Sequence, residues 1–124
     1  MTKETYIAEC IMKLYDINVY DNRRTKEIVE YRSLMCYILH KDLNLTLYKV
    51  RDHFNNNGKQ MSHCNVHHNV KLFEKLRAKK THLNELRFEI LGSIDPKYLL
   101  LKRIENIEDK EKIEQITNCI NHYE

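Results

Sequence analysis

The chain is poor in residues that interrupt regular structure, since its 124 residues include two Gly and one Pro. Together with an abundance of Leu, Ile, Lys and Glu, this disfavours a β-sandwich or barrel and predicts an all-α fold. No apolar run approaches the roughly 20 residues of a membrane span. The opening residues, MTKETYIAEC, lack the apolar core of a signal peptide. We therefore expect a cytoplasmic protein with no membrane partner.

Motifs for catalysis and nucleotide binding are missing as well. There is no G-x-x-x-x-G-K-[ST] phosphate loop, no G-x-S-x-G nucleophile turn and no C-x-x-C pair. Two of the well-separated cysteines, Cys10 and Cys36, fall on apolar helical stripes and are expected to be buried. The other two are Cys64 and Cys119. We expect no enzymatic activity and no cofactor.

Charge is divided unevenly along the chain. Residues 1–87 carry 16 Lys and Arg against 10 Asp and Glu, a net charge of +6. Residues 88–124 carry 5 against 8, a net charge of −3. A basic body with an acidic C-terminal part suits a polyanion-binding face that excludes the C-terminus. Ordinary scatter of surface charge explains the same numbers equally well.

Apolar residues recur with the period of a helix in five segments, and Thr25, Thr46 and Ser62 stand where helix N-caps are expected. On the second segment the stripe consists of Ile28, Arg32, Met35, Cys36 and Leu39. The predicted helices are Thr5–Tyr15, Lys26–His40, Leu47–Phe54, His63–Lys79 and His82–Leu91.

The C-terminal part is expected to form a separate helical extension. Gly92 should end the fifth helix, and Asp95-Pro96 is a typical helix start. A break is expected across 108–110. The prediction is a domain over 1–92 and an extension over 93–124, packed on the domain away from Arg23 or used to contact a second copy or a replication protein. Its apolar residues need such a cover: they are Leu99, Leu100, Ile104, Ile107, Ile113, Ile116 and Ile120.

The third and fourth predicted helices are joined by an Asn-rich turn that contains Gly58. A short helix, a glycine-marked turn and a longer basic helix form the outline of a helix-turn-helix, whose second helix enters the DNA major groove. A basic pair, Arg23 and Arg24, lies one helix upstream. Double-stranded DNA is therefore the expected partner.

From Ile7 to Leu76 the chain resembles the C-terminal DNA-binding domain of the bacterial replication initiator DnaA. Arg23-Arg24-Thr25-Lys26 stands at the family's basic loop, and Arg32 stands at the Arg of its second helix. The segment 47–54, LYKVRDHF, matches L-x-x-I-G-x-x-F with Arg51 in place of Gly. The segment 62–68, SHCNVHH, lines up with D-H-T-T-V-x-H. The turn is longer than in the family, and Glu30 replaces a frequent Arg.

The resemblance implies a helix-turn-helix bundle that binds double-stranded DNA selectively. It implies a role in recognising a replication origin or in its control, in a stand-alone form suited to a phage or mobile element, near the nucleoid. The loop would enter the minor groove and the fourth helix would contact bases or phosphates. The predicted DNA-binding residues are Arg23, Arg24, Lys26, Lys49, Lys59, Gln60, Ser62, His63, Cys64, Asn65 and His67.

Simpler interpretations stay open for each of these groups. The basic loop and the cations on the fourth helix are alternatively ordinary solvated surface, and Ser62 would act as a cap in any case. The cations concerned are Lys71, Lys75, Arg77, Lys79 and Lys80. As a whole, the chain is alternatively a protein-interaction module that kept the fold and lost DNA binding.

A histidine-rich stretch suggests two further hypotheses, both weaker. His63 and His67 share a helix face near Cys64, but a structural zinc site usually needs two separated ligand pairs. The letters HCNVHHN resemble H-N-H nucleases, which require a β-hairpin that the sequence does not predict. We expect no metal, and we expect His68 to be partly buried in the helix packing.

Overall fold

The computed structural model describes residues 2–97, and all regular structure in that range is helical, which confirms the predicted all-α class. A π-helical turn, Ile38–Asp42, continues α2 directly. The predictions for Leu99 to Ile120, for the break at 108–110 and for Cys119 lie outside the described residues. The helices are α1 (Lys3–Tyr15), α2 (Lys26–Tyr37), α3 (Leu47–Asn56), α4 (His63–Lys79) and α5 (Thr81–Ile94).

Side-chain caps fix where α2, α3 and α4 begin. The hydroxyl oxygens of Thr25, Thr46 and Ser62 accept hydrogen bonds from backbone N–H groups three residues later, at 3.3, 3.2 and 3.1 Å. These bonds satisfy donors that the first turn of a helix leaves without a partner. All three helices start where the sequence predicts, and α4 also ends at the predicted residue.

The helix ends differ from the prediction where packing or a second cap decides them. α1 begins two residues early because Thr2 Oγ1 accepts from the N–H of Thr5 at 3.2 Å. The expected end of α5 at Gly92 is wrong, since the helix continues to Ile94, which packs against the core. A glycine inside a helix costs about 1 kcal/mol relative to alanine, and burial of Ile94 offsets that cost.

Only part of the apolar side chains that recur along α1 with helical spacing is buried; these residues are Ile7, Cys10, Ile11 and Leu14. Ile7 and Ile11 lie in the core, but Leu14 is 62% exposed. The chain turns at Asp16, whose φ of 55° is left-handed, so Ile17 and Val19 enter the core in place of Leu14. Cys10, expected to be buried, is half-buried, whereas Cys36 is fully buried and burial raises the pKa of its thiol to about 12.

α4 is the central helix of the bundle and packs against α2, α3 and α5. Phe73 of α4 lies against Tyr37 of α2, with ring centroids 4.9 Å apart. The apolar stripe predicted for α2 is buried throughout, and it includes the charged residue Arg32. α4 therefore presents one row of side chains to the core, and the opposite side of its first turns is exposed.

Buried charges join the helices at two places. Arg87 of α5 binds Asp42 through two hydrogen bonds of 2.7 and 2.6 Å, with both side chains almost fully buried. Lys80 binds the buried carboxylate of Glu30 at 2.6 Å. Glu30, which replaces a basic residue of the resembling family, thus anchors the α4–α5 junction. Within residues 2–97 no helix is long and apolar enough to cross a membrane.

Candidate functional site

An open groove of about 290 Å³ lies between four segments of the chain: the α1–α2 loop (16–25), α2, the α3–α4 turn (57–62) and one side of α4. We call it the basic groove, because its lining residues include three cations and, in the described part of the chain, no carboxylate. They are Arg24, Val29, Arg32, Lys59, Gln60, Met61, Asn65, His68, Asn69 and Leu72.

The α3–α4 turn reaches the groove through a compact backbone arrangement. Gly58 has a φ of 86°, a conformation that side chains disfavour. Lys59 donates its N–H to the carbonyl of Phe54 at 2.9 Å, and Met61 donates its N–H to Asn55 Oδ1 at 2.7 Å. Because Met61 is buried, the turn is anchored and its neighbours Lys59 and Gln60 lie at the groove.

Positive charge is concentrated enough in the groove to affect titration. The pKa of Lys59 is lowered, first by burial and then by repulsion from Arg32 and Arg24. Its ammonium group lies 3.5 Å from Asn22 Oδ1 in the α1–α2 loop. Binding of an anion between these cations would relieve the repulsion. The groove is thus electrostatically suited to a phosphate group.

One row of α4, which includes the side-chain amides of Asn65 and Asn69, lies beside these cations. Asn65, His68, Asn69 and Leu72 follow the i, i+3, i+4, i+7 spacing of a single helix face. Asn69 donates to the backbone carbonyl of Asn65 at 2.8 Å. His68 is exposed, so the expectation that it is partly buried in the packing is wrong. The i, i+3, i+4, i+7 spacing of these four residues was a signal in the sequence that could have identified this row.

The structure brings four of the predicted residues, Arg24, Lys59, Gln60 and Asn65, together in the groove. Arg23 does not line it: its guanidinium binds Asp21 at 2.7 Å while remaining 78% exposed. That carboxylate also accepts from the N–H of Arg23, and these bonds lower the pKa of Asp21. Lys26 and Lys49 are exposed in the first turns of α2 and α3, outside the groove.

The remaining predicted residues form a second group at the start of α4. Ser62 is the cap, and Cys64 and His67 are exposed. His63 is half-buried, with its ring 4.9 Å from that of Tyr48 and its Nε2 3.5 Å from the Cys64 sulfur. Among residues 2–97, no three His, Cys, Asp or Glu side chains are grouped as a metal site would require.

Tyr48 and Arg51 of α3 extend this second group, although the sequence did not single them out as functional. Tyr48 is 53% exposed, and the Arg51 guanidinium lies 5.0 Å from its ring centroid. The cations along the rest of α4 are not uniformly solvated. Arg77 donates to the Tyr37 hydroxyl at 3.1 Å and Lys80 binds Glu30, whereas Lys71, Lys75 and Lys79 are exposed.

A tyrosine–histidine pair connects the α1–α2 loop to α3. The Tyr20 hydroxyl lies 2.6 Å from Nε2 of His53, and the Tyr20 ring contacts Phe54 edge-on. Burial, with a contribution from Glu4 and Glu9, raises the pKa of Tyr20 to about 12. Burial lowers the pKa of His53. His53 is therefore a neutral packing residue.

Comparisons with known proteins gave no match to the chain among protein-family models, curated proteins or solved structures.

Proposed function

We propose that this protein binds double-stranded DNA with sequence preference, and that the basic groove and the first turns of α4 form the contact surface. The observation that carries this proposal is the convergence of Arg24, Arg32 and Lys59 beside the amides of α4. Cations attract phosphates regardless of sequence, whereas Asn and Gln side chains can pair with base edges. Both kinds of group are needed for selective binding.

The order of elements supports a helix-turn-helix mode of docking. The ten-residue α3 is followed by a six-residue turn and the seventeen-residue α4. In such proteins the N-terminal residues of the second helix reach bases in the major groove. Here those residues are Ser62, His63, Cys64 and Asn65, all at least partly exposed.

Within the α1–α2 loop, Arg24 is the residue suited to contact DNA. Arg23 already binds Asp21, whereas Arg24 is exposed and lines the groove. An Arg presented from a loop beside a helix-turn-helix can enter a narrow A·T-rich minor groove, whose negative potential attracts it. Phosphates between the two DNA grooves would then face Lys59, and the buried guanidinium of Arg32 would add positive charge without direct contact.

The likeness to the DnaA DNA-binding domain adds a biological setting to this proposal. A chain that binds an origin-like site would mark or mask that site and so control replication initiation. The test is a selection from a pool of random duplexes, followed by sequencing of the bound fraction. Enrichment of one motif, bound more tightly than its shuffled sequence, supports the proposal; an unenriched pool contradicts sequence-selective binding.

A second candidate function, contact with another protein, is favoured by a different surface. Met12, Leu14 and Tyr15 at the end of α1 are exposed by 47, 62 and 43%. Tyr15 also lies against Tyr31, with ring centroids 5.0 Å apart. Sedimentation velocity at rising concentration tests self-association through this face. Association that the Leu14→Ser variant abolishes supports the contact, and a concentration-independent monomer contradicts a homodimer.

A further inference from the structure

A buried arginine holds the loop that carries Arg24. Arg32 on α2 is 5% exposed, and its Nε donates to the backbone carbonyl of Val19 at 2.8 Å. Its Nη2 donates to the carbonyl of Asp21. We infer that Arg32 is a positioning residue for DNA binding, which fixes the α1–α2 loop so that Arg24 faces the basic groove. This inference rests on the proposed function.

The chemistry of the bond explains why an arginine is needed at this position. A guanidinium is a planar fork with donors in fixed directions, so a single side chain can bind two carbonyls that lie two residues apart. A lysine keeps the charge but has a single point of attachment. A buried charge is costly without hydrogen-bond partners, and so is a buried carbonyl. Loss of the guanidinium or of the loop conformation would therefore leave the other side without its partner.

Side chains of the α1–α2 loop continue the hydrogen-bond network that begins at Arg32. Arg32 holds the main chain of Asp21, and the Asp21 carboxylate holds both the N–H and the guanidinium of Arg23. Arg23 is thereby directed toward Asp21, and the next residue, Arg24, lies at the groove. The direct link from the α3–α4 turn, from Lys59 to Asn22, is longer at 3.5 Å.

Fixing the loop in the free protein matters for affinity because an unfixed loop must be ordered on binding, and that ordering opposes association. An Arg32→Lys substitution retains the positive charge at the groove and removes the fork. Any loss of affinity then reports loop positioning rather than loss of charge. We expect the variant to bind duplex DNA about tenfold more weakly.

A double-mutant cycle with Arg24→Ala separates positioning from general destabilisation. If Arg32 acts through Arg24, Arg32→Lys weakens binding by less than about twofold once Arg24 is replaced. The matched control is Leu83→Ala, a cavity substitution in α5 outside the groove, which should have the same effect in both backgrounds. An equal loss from Arg32→Lys in both backgrounds overturns the inference.

Two additions keep the test decisive. If the lysine variant does not fold, Arg32→Gln, which has no charge to bury, replaces it in the cycle. Loss of charge then contributes equally in both backgrounds, so a larger loss in the presence of Arg24 is the supporting result. Hydrogen exchange of the DNA-free protein measures the loop directly. The amides of Asp21 and Arg23, bonded to Asn18 O at 3.1 Å and Asp21 Oδ1 at 2.9 Å, should exchange faster in the variant, while those of α5 keep their rates.

The exchange experiment also distinguishes failure of this inference from failure of the proposed function. If the variant shows faster loop exchange but the wild type binds no duplex, Arg32 holds the loop and DNA is not the ligand. That result overturns a positioning role of Arg32 in DNA binding. Normal duplex binding with unchanged loop exchange and affinity in the variant leaves the proposed function standing and overturns the role of Arg32.

Discussion

The hydroxyl oxygen of Tyr20 lies 2.6 Å from Nε2 of His53 and joins the α1–α2 loop to α3. The contact needs a neutral imidazole if the phenol is to donate, and burial of His53 favours that neutral form. The loop is therefore attached to two different helices, to α3 through Tyr20 and to α2 through Arg32. Both attachments help to set the shape of the basic groove.

The first prediction concerns pH. Since the pKa of His53 is lowered in the folded state from its usual 6.5, the unfolded chain takes up a proton first as the pH falls. The free energy of unfolding should then decrease as the pH falls from 6.5 toward the lower, folded-state pKa. No such contribution exists above 6.5, where both states are neutral.

Urea denaturation at about pH 8 and about pH 5 measures this effect against the variant His53→Gln. The glutamine oxygen can still accept from Tyr20 but does not titrate in this range. We expect the wild type to lose more stability between the two pH values than the variant loses. Equal losses would show that His53 is not the group responsible.

The second prediction concerns the buried pair of Asp42 and Arg87. Asp42→Ala removes the carboxylate that binds two nitrogens of the buried Arg87 guanidinium, at a cost of about 3–5 kcal/mol in the free energy of unfolding. The control is Asp42→Leu combined with Arg87→Met, which removes both charges and should cost much less. A single variant that loses under about 1 kcal/mol would mean that the charge finds solvent.

Local signals in the sequence determined much of the helical layout. The Ser62 cap and the apolar row of Val66, Val70 and Phe73 are local features, and the bounds of α4 are as predicted. The end of α5 is not local, because Gly92 stays helical through the packing of Ile94. Where tertiary contacts decide the end of a helix, apolar periodicity and capping residues in the sequence cannot predict it.

The groove was predictable only in its components. Arg24, Lys59 and Asn65 were each candidates, but they lie on three segments, and their proximity depends on how α2 and α4 pack. The hydrogen-bond partners of the buried charges could not be predicted from the sequence either. Arg32 was placed on the apolar stripe of α2, yet nothing in the spacing indicated that it binds the carbonyls of Val19 and Asp21.

The third prediction separates the two roles of Ser62. Ser62→Ala removes the oxygen that accepts from the N–H of Asn65, and should lower stability by about 1 kcal/mol. Ser62→Asp retains an acceptor and favours the helix N-terminus, so its stability should match the wild type. Because Asp stands at this position in the resembling family, Ser62→Asp should retain duplex binding but change the preferred base sequence. An unchanged preference in the same duplex selection would place Ser62 away from the bases.

The fourth prediction concerns base recognition by α4. Asn65→Ala should reduce preference for the selected duplex by about 1–3 kcal/mol, because a bidentate contact to adenine is lost. Binding to a shuffled duplex should change little. Asn56→Ala, at the exposed end of α3, is the matched control and should alter neither. An equal loss on both duplexes would mean that Asn65 contributes to affinity without reading bases.

The central claim, that the basic groove contacts DNA phosphates, is tested most directly by the salt dependence of duplex binding. Each phosphate contact contributes a slope of about −0.9 to the plot of log affinity against log salt. The test variant is Arg24→Ala with Lys59→Ala. Lys13→Ala with Lys41→Ala is the control, since it removes the same charge from exposed sites outside the groove.

Fluorescence anisotropy of a labelled duplex across a salt series gives the three slopes. The groove variant should bind more weakly and its slope should be shallower than that of the wild type by about 2, while the control retains the wild-type slope. Equal changes of slope and affinity in both variants would mean that binding depends on the net charge of the protein and not on the groove. A groove variant with the wild-type slope and affinity would contradict the groove as the DNA contact.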